Sequence, residues 1–183
     1  MNKKCYVTLE NLGFNKGRIV FLLAIEPATG NTLIKYYNIF NLEEDSSEKQ
    51  NTSYLKTLGL TKEKIKKHET PMTSLADEKR EVGLFLNKFD EIIVLSDFQK
   101  EALIENYDIK TPIKSLLSLF TPVMKLSTYS QYFKYKMPKL TELEKFINLE
   151  IPKNSPSAHF RKIRFIIEAY KYYINLDEEK ENE

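Results

Sequence analysis

Short apolar runs separated by polar turns open the chain, and longer stretches of helical spacing follow. Residues 6–9 form a short strand candidate, and Gly13 to Gly17 supplies a turn. Ile19–Ile25 is a short apolar run rich in β-branched residues, and with Arg18 before it predicts a buried strand over 18–25. Ala28, Gly30 and Asn31 mark a hairpin turn, and residues 32–40 a third strand, which together suit an antiparallel meander. Residues 41–53 are polar, charged and without periodicity, so a long mobile loop is expected there. Residues 54–61 read as a compact segment. Thr61 followed by Glu63 and Lys64 marks a helix start, which Pro71 ends.

The second half reads as mostly helical. Leu75, Val82, Leu84, Phe85 and Phe89 give 74–89 an amphipathic pattern, and 91–95 is a buried strand. Asp97 is expected to cap a helix over 98–107, with another helix over 112–120. Residues 121–137 carry no readable pattern. Pro138 with Leu140, Leu143, Phe146 and Ile147 predicts a further helix, and 152–156 a loop. Ile163, Ile166, Ile167, Tyr170 and Ile174 form the apolar face of a final helix over 158–176. There is no internal repeat and no linker. One domain over 1–176 is expected, followed by an acidic disordered tail over 177–183. Strands and helices in this order are satisfied by an α/β fold, a mixed sheet with helices packed on it.

Composition narrows the picture. The 183 residues are 42% hydrophobic, enough for one core. Charged residues at 30% predict a soluble chain, and no apolar run reaches membrane-spanning length. The first residues lack a signal-peptide pattern. The single cysteine, Cys5, forms no internal disulfide and fits a reducing, cytoplasmic setting. With one cysteine and two histidines, a structural zinc site is not expected. The net charge of +2 neither requires nor excludes nucleic acid. Lysines and arginines interleave with tyrosines over 125–173, however. In 129–139, Tyr132, Lys134 and Lys136 offer rings for stacking bases and ammonium groups for tracking phosphates. The competing reading, favoured by composition, packs the tyrosines on the core and leaves the lysines in water.

Several strings, in order, resemble the DEDDh 3′–5′ exonuclease family typified by the DNA polymerase III epsilon subunit. The family opens on D-x-E-T-T-G, and this chain reads Thr8-Leu9-Glu10-Asn11-Leu12-Gly13. Arg18-Ile19 fits the start of the family's next strand. Leu58-Gly59-Leu60-Thr61-Lys62-Glu63 resembles its H-G-I-T string. Val94-Leu95-Ser96-Asp97-Phe98-Gln99-Lys100-Glu101 resembles V-x-H-N-x-x-F-D, and Lys139-Leu140-Thr141-Glu142-Leu143 a Leu-rich helix. His159-Phe160-Arg161-Lys162-Ile163-Arg164 resembles the closing H-x-A-x-x-D. The resemblance implies a ribonuclease-H-like mixed sheet, a three-strand antiparallel meander plus added parallel strands, flanked by helices. It also implies two divalent metals between four carboxylates, with a histidine as general base, and places Asn11 and Leu12 against the nucleic acid.

The residues depart from that chemistry. Thr8 replaces the first acid, and Arg164 the fourth with the opposite charge. The third falls on Glu101, or on Lys100 with a one-residue slip. Glu10 and Glu101 are therefore the remaining metal-ligand candidates, for magnesium or manganese if the chain is active; otherwise no cofactor is expected. His159 keeps the general-base position, although a surface histidine at a helix start is the favoured alternative. Glu101 also reads as a solvated helix residue, and His68 as solvated. An ion pair of Arg164 with Glu10 is expected to stand in for the metals. Three functions follow: a degenerate exonuclease-like binding or scaffolding module of nucleic-acid metabolism, an exonuclease with a rearranged site, or a protein-interaction domain. The expected partners are single-stranded DNA or RNA, or a replication or repair protein, with no membrane.

Overall fold

The computed structural model describes residues 3–11, 19–37, 75–129, 131–149 and 158–181, together with Glu63 and Lys67, both helical. Leu12, Gly13, Arg18, His68, the 41–53 segment and the Gly59-Leu60-Thr61 string lie outside the described residues.

Three strands come first: β1 (Lys4–Asn11), β2 (Ile19–Ile25) and β3 (Thr32–Tyr36). After them come α1 (Leu75–Leu86), β4 (Glu91–Val94), α2 (Asp97–Asn106), β5 (Ile113–Ser115), α3 (Leu116–Met124), α4 (Leu140–Phe146) and α5 (Ala158–Glu181). The strands form one sheet in the order β3-β2-β1-β4-β5. β1, β2 and β3 pair antiparallel, whereas β4 and β5 join β1 in parallel. This is the antiparallel meander that the sequence pattern predicts, with the added parallel strands that the resemblance implies. Gly30 takes a positive φ of 76° in the β2–β3 turn, a conformation open to glycine without Cβ strain.

Alternation along the strands divides the core. Cys5, Val7 and Leu9 of β1 join Leu22, Ala24, Ile92 and Val94 beneath α1 and α2. Tyr6 joins Phe21, Leu23 and Ile93 beneath α3, α4 and α5, where the predicted α5 face of Ile163, Ile166 and Tyr170 is buried. Thr8 and Glu10 share the parity of Tyr6, so the α5 side of the central strand carries both.

Several boundaries differ from expectation. Residues 112–120 are not one helix. Ile113–Ser115 is a strand, buried at its first and last residues and paired with β4, and Ser115 then caps α3. The helix passes through Pro122 and stops at Lys125, in left-handed backbone with φ 50°. Asp97 is not the cap of α2. Ser96 has the extended backbone of a cap and accepts a hydrogen bond from the Gln99 N–H, while Asp97 accepts one from the Ser118 hydroxyl at 2.6 Å. α5 remains helical to Glu181, inside the stretch expected to be a disordered tail.

Candidate functional site

At the end of β1, Thr8 is wholly buried and Glu10 is 5% exposed. Phe21 of β2 lies directly across from Glu10, and the register of the pair shifts between Glu10 and Asn11. Local irregularity at a strand end re-aims side chains, and this one falls at the only charged residue of β1's buried run. α5 packs against β1. In its first turn His159 is 2% exposed and lies over the Phe21 ring, with centroids 4.1 Å apart. The surface position favoured for His159 is thus not the one it takes: an apolar ring holds it in the interior.

His159 Nδ1 stands 3.6 Å from Glu10 Oε1, within ion-pair reach but beyond hydrogen-bond length. Lys162, three residues further along α5, forms an ion pair with the same carboxylate oxygen. Residues three apart share a helix face, which is how both reach Glu10. Arg164 does not. Five residues from His159, it falls on the exposed side of α5, so the expected Arg164–Glu10 pair is replaced by Lys162–Glu10. Burial pushes the Glu10 carboxyl up, but His159 beside it and the Lys162 ammonium outweigh burial and hold it below the usual carboxylate range.

The flank facing α2 is closed by Gln99. Its side chain is buried, donating to the Leu9 carbonyl at 3.1 Å and accepting from the Leu95 N–H at 3.1 Å. Glu101 lies two residues on, where helical geometry turns it away, and it is exposed. The structure therefore brings together Thr8, Glu10 and His159 and leaves Glu101 and Arg164 outside the group. Asn11 is half-buried at the end of β1. Tyr132, Lys134 and Lys136 sit in the irregular segment between α3 and α4, and Lys136 pairs with Glu142 at 2.7 Å.

These residues do not fit a two-metal centre. They offer one carboxylate, already in contact with a cation, one neutral hydroxyl and an amide whose two ends are engaged; magnesium favours anionic oxygen. Among the described residues no group of three or more histidine, cysteine or acidic side chains could hold a metal ion. Thr8 Oγ1 and both His159 ring nitrogens are buried with no hydrogen-bond partner among the described residues. Beside Lys162 opens a pocket of about 290 Å³ whose walls include Arg161, Glu144, Leu95 and Phe165.

Two members of the site escaped the sequence reading. Lys162 had a signal in its i,i+3 spacing from His159. Gln99 had one in Ser96-x-x-Gln99, the pattern of a helix start whose third residue reaches back.

No protein-family model and no curated protein matches this chain in sequence. Among solved structures it is similar to exonuclease X in complex with 5′-overhanging duplex DNA, with a TM-score of 0.57 at 12% identity over 95% of this chain and 91% of that one. The chain has an exonuclease-like, ribonuclease-H-like α/β fold.

Proposed function

We propose that this protein is a degenerate DEDDh-type, epsilon-subunit-like exonuclease module that binds nucleic acid without two-metal hydrolysis. The observation that carries this reading is the Lys162 ammonium on the Glu10 carboxylate. The side chain supplies internally the positive charge that a metal would bring, and it repels a metal approaching the same oxygen. Thr8 and Gln99 add no negative charge to draw one in. Single-stranded DNA or RNA, or a protein of replication or repair, is the partner that the fold suggests.

End-labelled single-stranded DNA and RNA, incubated with magnesium or manganese, test it. The expected result is no 3′ shortening, with retention of the strand that weakens as salt rises. Digestion that is lost in Glu10→Ala would overturn the reading, as would tight two-site metal binding by calorimetry.

A further inference from the structure

Beyond Lys125 the chain leaves helical structure and then closes on itself, the Lys136 N–H donating to the Leu126 carbonyl at 3.0 Å. The loop so formed carries Tyr129, Tyr132 and Phe133, which are 108%, 89% and 69% exposed. No other described aromatic residue is as open. Large rings exposed on one short loop mark a contact surface. Beside Phe133, between loop and α3, lies a hollow of about 460 Å³, lined also by Pro122, Tyr135 and Met137 and, on the α3 side, by Ser118 and Thr121.

The loop itself carries charge of one sign, with Lys136 held by Glu142 of α4. Residues 125–139 contain Lys125, Lys134, Lys136 and Lys139 and no Asp or Glu. Lys125, Lys134 and Lys139 are exposed. Flat rings beside cationic chains complement flat bases beside anionic phosphates. The loop is also tied to the Glu10 end of the sheet. Ser118, at the edge of the hollow, bonds Asp97 in the first turn of α2, and Gln99 of that turn bonds the Leu9 carbonyl between Thr8 and Glu10.

We infer that Tyr129, Tyr132 and Phe133, with the lysines around them, form a base-stacking platform for single-stranded nucleic acid. The three rings do the stacking, and the hollow beside Phe133 receives a base edge. The platform rests on the nucleic-acid-binding reading above and gives it a preference: bases in a duplex already stack on one another, so only unpaired strands present their faces.

Fluorescence anisotropy with labelled oligothymidylate, oligouridylate and a duplex of equal length tests the platform, using the full chain and a triple variant, Tyr129→Ser, Tyr132→Ser and Phe133→Ser. These side chains reach into solvent, and matched melting curves verify that the variant folds. The full chain is expected to bind single strands more tightly than duplex, and the variant to lose at least about tenfold of that affinity as the stacking rings are removed. The chain has no Trp and 11 Tyr, so quenching of tyrosine emission on binding, reduced in the variant, gives a second readout. Equal binding by chain and variant would overturn the platform and leave nucleic-acid binding standing, as would a preference for duplex. Binding to no oligonucleotide would overturn both and turn the loop into a protein-docking surface.

Discussion

Glu10 stays ionised where burial works against it, because two groups from one helix face stand over it. The Lys162 contact is itself largely enclosed, so removing the cation leaves a carboxylate that water reaches poorly. Lys162→Met is expected to cost about 1–3 kcal/mol, less than the roughly 3–5 kcal/mol of a fully buried pair because Lys162 is a quarter exposed. Adding Glu10→Gln removes the stranded charge, so the double variant should recover much of that loss. Urea unfolding of the two single variants and the double variant measures the coupling; strict additivity would show that the pair contributes nothing.

At the scale of elements, the site depends on how α1 and α2 are drawn onto the sheet. Gln99 links α2 to β1 and to the end of β4 with one amide, and truncation removes both bonds at a buried position. Gln99→Ala should lower stability by roughly 2–3 kcal/mol, read from the denaturation midpoint. α1 approaches the end of α2 through Gly83, where an added Cβ would lie 2.8 Å from the Asp108 carbonyl oxygen. Backbone cannot yield as a flexible side chain does. Gly83→Ala should therefore cost about 1–3 kcal/mol and lower the melting temperature, although alanine favours helix. Legibility was uneven here. The 3.6-residue pattern of α1 and α5 and the short apolar runs of β2 and β4 were plain in the sequence. The strand Ile113–Ser115 was not, because three residues are too few to show alternation, and only pairing with β4 separates them from the helix that follows.

Across the whole molecule, two buried acids pull stability in opposite directions with pH. Glu10 has a folded value below its unfolded value near about 4.3, so its stabilising contribution is complete above that pH and is lost as pH falls through the lower value. Glu78 of α1 is the reverse. Burial raises it, against the opposing pull of the Tyr37 hydroxyl and Lys35, so stability declines as pH rises from the unfolded value through the raised one. Melting temperatures across the acid and neutral range should show a shallower acid limb in Glu10→Gln. In Glu78→Gln the decline on the rising side should flatten. An unchanged profile in either variant would remove that residue from the account.

The sequence by itself determined the opening meander, most of the helices, the faces that turn inward and the presence of Thr8 and Arg164 where the resembled family carries acids, because periodicity and residue type are local properties. The tertiary structure decided which charge meets Glu10. Lys162, Arg164, Gln99 and Glu101 are all near the motifs in sequence. The helix turn puts the first and third against β1 and leaves the other two in solvent. The same is true of Tyr132 and its neighbours: their spacing shows rings among lysines, but only the closed loop holds those rings away from the core.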